Sequence, residues 1–570
     1  MIQSLRSLTT TGAILTACVS YAAAQTHAPG GHVHYTPPPA QASPTGALAP
    51  RLQSLGRHTF PVSTRNRQAQ LFVNQGLNLA YAFNHAEARR AFAEAARLDP
   101  NLAMAYWGQA LVLGPNINAA MEPNEEPGAY ELVQKAMSLR GRASARERAY
   151  IDALAERYTG KAEDRRPRDA AYAAAMQKVH ARYPQDLDAA MLYVEAIMDL
   201  RPWGYWQRDG APHDGTPEAI RITETVMARD PNHPGALHMY IHLMESTSTP
   251  EVAEKAADTL LTLMPAAGHM VHMPGHIYQR VGRYADAIRS NQLAIAADED
   301  YITQCRAQGL YPTGYYPHNI HFLWFAASSD GQGRLAIESA RSLAAKIDDE
   351  TLKAAPLTAG FRLVPYYALT RFGRWDEMLK EPEPPAFNAV LRAAWHYARG
   401  LSLVATGQPA AAERELAVLK TLMSDPAMAQ PLFSPNLAGA ALAPAPEVLA
   451  AEIAAAAGQY DVAIAHLDKA VRLEDSLVYT EPSEFHYPPR QALGAILLEA
   501  GRAAEAETVY WEDLRRNREN GWSLFGLLQA LRAQKKDADA ALIEARFKMA
   551  WARADVTLTA SRFGRAAASR

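Results

Sequence analysis

Only two cysteines, Cys18 and Cys305, occur in 570 residues, so a disulfide framework does not hold this chain together. A C-x-x-C-H sequence is missing, which argues against covalently attached c-type haem. No apolar run is long enough to span a bilayer. Neither sign of charge dominates: 57 basic and 60 acidic residues give a net charge of −3, with no general pull toward nucleic acid or anionic membranes. No Ser-His-Asp order, glycine-rich phosphate loop or dinucleotide fingerprint stands in a credible context. Strand-like alternation is absent too, and alanine-rich stretches take its place, so the expected fold class is all-α. Cys305 reads as a small buried apolar residue.

What is present begins with an N-terminus that looks like an export signal over 1–24. Arg6 supplies the positive end, "TGAILTACVSYAAA" the apolar region and Ala22-Ala23-Ala24 a small-residue cleavage site before Gln25. A second reading competes. Leu15-Thr16-Ala17-Cys18 resembles a bacterial lipobox, in which the signal would end at 17 and Cys18 would carry a lipid anchor. Either processing exports the protein, to the periplasm or to the outer membrane as a lipoprotein. Residues 25–62 read as a disordered leader rich in proline and glycine. His27, His32 and His34 within it could bind metal weakly, although a solvated linker explains them as well.

From residue 69 a 34-residue unit recurs. "LFVNQGLNLAYAFNHAEARRAFAEAARLDP" carries Gly76, then Ala88-x3-Phe92-x2-Ala95 and Pro100. The frame returns at Gly400/Ala412/Leu416/Leu419, at Ala463/Leu467/Ala470, at Gly494 with Ala506/Tyr510/Asp513, and at Phe525-Gly526 with Ala538/Leu542/Ala545. This pattern resembles the tetratricopeptide repeat (TPR), which implies a solenoid of stacked helical hairpins. The expected organisation is N-terminal repeats with insertions over 63–215, histidine-rich repeats over 216–350 and C-terminal repeats over 351–570. The chain is also similar to a group of secreted bacterial TPR proteins with "AMAYWG", "GPNIN", "HMPGHIY" and "HNIHFLW"-type segments. No activity follows from that resemblance.

Seven of the 18 histidines lie between His238 and His321. They read H-x3-H-x2-E (His238, His242, Glu245), H-x2-H-x3-H (His269, His272, His276) and H-x2-H (His318, His321), spacings that share a helix face. The Ala287/Asn291/Ala294 frame makes Gly268 position 1 of its repeat, so His269, His272 and His276 take positions 2, 5 and 9. In the preceding unit, which starts at Pro234, His238, His242 and Glu245 take positions 5, 9 and 12. His318 and His321 take positions 2 and 5 of a third unit, on a frame that also fits when shifted by two. The TPR resemblance implies that positions 2, 5, 9 and 12 line the concave groove. His238 and His272 are then equivalent (272 − 238 = 34), as are His242 and His276.

Packing gives no reason for seven imidazoles on three consecutive helices, and neutral imidazole is the commonest biological ligand for transition metals. Interleaved Met239, Met270 and Met273 in an exported chain suit copper, although helix packing explains each singly. Zinc would need only three or four of the ligands, and an iron site could draw on His238, His242 and Glu245. Trp203, Trp206, Tyr315, Tyr316 and Trp324 could shape a substrate pocket, and Glu195 and Asp199 could add carboxylates. His233, His466 and His486 are assigned no role. Two functions stand side by side. One is a metal-binding protein, expected to be a metal-dependent oxidoreductase rather than a hydrolase if it is an enzyme, with a small molecule or peptide in the concave groove. The other is a non-catalytic scaffold that binds a partner peptide or protein in the cell envelope.

Overall fold

The computed structural model describes residues 46–161, 165–305, 311–432 and 436–564. The expected export signal, Cys18, His27, His32 and His34 lie outside the described residues.

Two hairpins, one near each end of the described chain, are built on the same aromatic wedge. In the first, Asn66 caps the helix Arg67–Tyr81 by accepting from the backbone of Gln68 and Ala69. Asn84 caps the returning helix His85–Leu98 in the same way. Phe92 on that second helix is fully buried between two glycines: a Cβ at Gly76 would lie 2.8 Å from its ring, and one at Gly108 2.4 Å. Tyr510 sits likewise between Gly494 and Gly526, where a Cβ would come within 2.4 and 2.2 Å. An aromatic side chain thus locks its own hairpin to the next one, and glycine is the only residue that leaves it room.

Repetition of this step yields an all-α, TPR-like solenoid of helical hairpins running to the helix Asp537–Ala550, with no strand among the described residues. Ser144 and Glu147 form the reciprocal capping box that their spacing announces. The extra length before the third histidine helix becomes a 22-residue helix, Tyr284–Cys305, and a π-helical turn, Tyr311–Tyr315.

Two expectations are corrected. The leader was expected to be disordered to residue 62, yet 46–62 packs on the first repeats. Ala49, Leu55 and Phe60 are buried, and the Leu52 amide donates to Gln75 Oε1 at 3.0 Å while the Phe60 amide donates to Asn74 Oδ1 at 3.0 Å. Apolar side chains with satisfied amides outweigh the composition there. The second concerns long apolar runs: Ala438–Ala456 is long and apolar enough to cross a membrane, with 67% of it buried inside the solenoid.

Candidate metal centre

Three neighbouring hairpins present the histidines. His238 and His242 lie one turn apart on Pro234–Met244, with Glu245 just beyond it. His269 and His272 lie on Gly268–His272, and His276 on Pro274–Val281. Proline at 274 has no N–H to donate, so this first helix of the hairpin is broken at Met273. His318 and His321 lie on Tyr316–Ser329.

These side chains gather into two groups of three, His238/His242/His269 and His272/His276/His318, each with ligand atoms within 4.8 Å of one another. Both groups follow one rule: positions 5 and 9 of a repeat plus position 2 of the next. One step of the solenoid converts the first triad into the second. His321, at position 5, would open a third set, but position 9 is Phe325. Its ring lies instead against Trp324 and Phe361, at 5.3 and 5.5 Å.

The outer nitrogens orient four of the six rings, those of His238, His242, His272 and His276. His238 Nδ1 lies 2.7 Å from the Tyr81 carbonyl, which can only accept. His242 Nδ1 lies 3.0 Å from Glu245 Oε1. Both rings therefore carry their hydrogen on Nδ1, and both Nε2 lone pairs point inward. The two Nε2 atoms are 3.0 Å apart, with His269 Nε2 3.1 Å from His238 Nε2. In the second triad His272 Nδ1 donates to Asn291 Oδ1 at 2.7 Å, an oxygen identified because Asn291 Nδ2 donates to the Ala287 carbonyl at 2.8 Å. His276 Nδ1 lies 2.6 Å from Glu245 Oε2 and 3.0 Å from Glu481 Oε2, while its Nε2 is 2.7 Å from that of His272. Facing lone pairs repel unless they share a cation. A proton can be shared by two of them, a metal ion by all three.

Electrostatics separates His276 from the rest. Burial, reinforced by neighbouring imidazoles, holds His238, His269, His272 and His318 well below the usual histidine range. His276 goes the other way: burial lowers it, but Glu481 and Glu245 outweigh burial and push it up to about 10. Burial raises Glu245, yet His242 and His276 prevail and hold it below the usual carboxylate range. Burial dominates at Glu481 and raises it. His321, with burial alone acting on it, falls to about 3.

Aromatic rings enclose the first triad. Phe83 lies 4.5 Å from the His238 ring, 5.5 Å from His269 and 6.0 Å from His242. Trp203 meets His242 edge-on at 5.4 Å, and Tyr315 meets His269 at 4.8 Å. Phe83 and Trp203 both hold left-handed backbone, at φ 54° and 63°. Of the other candidate pocket residues, Trp206 donates to the Leu243 carbonyl at 2.7 Å and so anchors the loop to the histidine helix. Tyr316 faces Glu299, and Trp324 is buried beside His321. Asp199 pairs with Arg157 at 2.9 Å, while burial and the neighbouring Asp199 carboxylate push Glu195 up to about 8; neither belongs to a triad.

Sequence reasoning missed two elements. Glu481, from the C-terminal repeats, has a side chain only 1% exposed and lies against His276. His58, Asp188 and His233 form a further group on the wall of a cavity of about 710 Å³, together with Arg57, Arg146 and Arg182. There the tautomer logic runs the other way. His233 Nδ1 accepts from the Ala236 amide, which leaves the hydrogen on Nε2 pointing at Asp188, 3.4 Å away. His58 at 2.8 Å and the Tyr81 hydroxyl at 2.8 Å reach the same oxygen. That carboxylate is satisfied by hydrogen bonds, with no inward lone pairs to share.

Solved structures with a similar fold include the human IFIT1 dimer with m7Gppp-AAAA, at 12% identity and a TM-score of 0.33 over 85% of this chain and 91% of that one. Another is the APC/C hetero-tetramer Cut9-Hcn1, at 12% identity and a TM-score of 0.31 over 86% and 78%. Neither likeness bears on function. No family model matches the chain, and no curated protein matches it.

Proposed function

We propose that this chain is an exported metalloprotein, periplasmic or anchored through Cys18, that binds transition metal through its histidine triads. The contact that supports this reading most directly joins His238 and His242. Both have committed their Nδ1 hydrogens outward, and their Nε2 atoms face each other at 3.0 Å. Three neutral imidazoles suit copper, zinc or iron, and copper binds nitrogen sites tightest among the divalent ions. Met239, Met270 and Met273 are buried in the core and act as packing residues. A copper ion with an open position would supply one-electron exchange with dioxygen, so oxidoreductase is favoured over hydrolase. Trp203 and Tyr315, the candidate pocket residues that touch the triads, would border the substrate in the concave groove.

Elemental analysis of the purified mature protein tests the reading. Stoichiometric metal is expected, and it should vanish in a His242→Ala plus His276→Ala variant, which breaks both triads. Absence of bound metal after copper, zinc and iron loading would leave the scaffold function, with a partner peptide or protein in the groove.

A further inference from the structure

The anchors behind the two triads differ in kind. His238 is held by the Tyr81 carbonyl and His272 by Asn291, each a hydrogen bond to a single ring. Among the described residues, Glu245 alone presents a carboxylate oxygen to a histidine of each triad. Its Oε1 accepts from His242 Nδ1 at 3.0 Å and its Oε2 from His276 Nδ1 at 2.6 Å, and its side chain is 1% exposed. The repeat explains how one residue manages this. Glu245 stands at position 12, between the position 9 histidine of its own hairpin and that of the next. The triads are close neighbours as well: the rings of His242 and His276 are 6.1 Å apart, and those of His269 and His272 6.0 Å.

We propose that the two triads form a single binuclear centre for two ions of the same transition metal, with Glu245 as the positioning residue that orients one ligand of each. This deepens the reading above and rests on it. A carboxylate behind a ligating imidazole fixes its tautomer and raises its basicity, and loss of such a partner typically costs about 10–100-fold in metal affinity. Because Glu245 stands behind two imidazoles, its loss reaches both ions, whereas loss of Asn291 reaches one.

The test is titration of the full-length mature protein with Cu(II), with the number of bound ions read by native mass spectrometry. His318→Ala disables the second triad and isolates the first; His269→Ala does the reverse. In the wild type two ions per chain are expected. Glu245→Ala should lower the copper affinity of the remaining triad about 10–100-fold in both backgrounds. Asn291→Leu should do so only where the second triad remains. An effect of Glu245→Ala confined to one background, or absent from both, overturns the shared role. If Glu245→Ala does not fold, as judged by circular dichroism, Glu245→Gln decides. Its amide has one accepting oxygen, so it should impair one triad and spare the other, and unchanged affinity at both overturns the proposal. Should the wild type take up no copper at all, the metalloprotein reading itself has failed, a result distinct from two ions bound without dependence on Glu245.

Discussion

At the scale of single residues, His276 is the asymmetric member of the centre. Its pKa stands above the ordinary 6.5, at about 10, so in the metal-free protein its charge stabilises the fold below pH 6.5. That contribution is lost as pH rises through about 10. Metal must displace this proton, whereas His238 and His269 are neutral already. Copper uptake at the second triad is therefore expected to release about one proton at pH 7 and to weaken about tenfold per unit of acidification. Proton release at the first triad should be smaller, since two of its three histidines are held well below the usual range. Isothermal titration in two buffers of different ionisation enthalpy, with one triad disabled at a time, measures both. A second residue carries a steric constraint. A Cβ on Gly268 would lie 1.8 Å from Asp298 Oδ1, and Asp298 is pinned by the Tyr311 hydroxyl at 2.8 Å and Asn319 at 2.7 Å. Gly268→Ala is expected to destabilise by about 1–3 kcal/mol, read from the chemical denaturation midpoint.

At the scale of elements, the repeat frame was legible because it is a packing code. Wedges such as Phe92 and Tyr510 sit one helix away from the glycines that admit them. Phe92→Ala should cost about 3–5 kcal/mol, since it empties a fully buried site between two hairpins; equilibrium urea unfolding checks it. In the histidine hairpin the wedge position holds Asn291, and a Cβ at Gly275 would come within 2.9 Å of its amide nitrogen. A polar residue in a packing slot is itself a legible sign that something nearby needs holding. The pairing of His269 with His238 rather than with His272 was not legible, because it depends on the rotation between hairpins. Glu481 and His58 were hidden for another reason. They lie in irregular segments, and Glu481 is 205 residues from His276 (481 − 276), so no local periodicity marks them. Phe83 was equally silent, and although Trp203 was singled out from its aromatic loop, the left-handed backbone that both residues hold, worth about 1–3 kcal/mol of strain, leaves no trace in composition.

At the scale of the whole molecule, the C-terminal repeats return to the histidine hairpins. The Tyr284 hydroxyl donates to the Arg518 carbonyl at 2.9 Å, Arg518 pairs with Glu251 at 2.9 Å, and Arg208 reaches the Ser476 carbonyl at 2.7 Å. Glu481 arrives at His276 by the same return of the chain. Metal bound here would tie three hairpins together, and a ligand at about 100 times its Kd stabilises the folded state by about 2.7 kcal/mol. Chelation is expected to lower the melting temperature and to speed amide exchange over 234–329, while the stack from 489 to 550 keeps its protection. Exchange that rises evenly along the chain would count against a local tie.

Because the triad rule spans one hairpin and the start of its successor, the number of ions the proposed centre could hold would be set by how many consecutive units obey it. A duplication that inserted one more such unit would add another ion to the row without any new invention. The row ends where the ninth position holds a residue other than histidine, as at Phe325. Metal capacity in this architecture would then be inherited as a length.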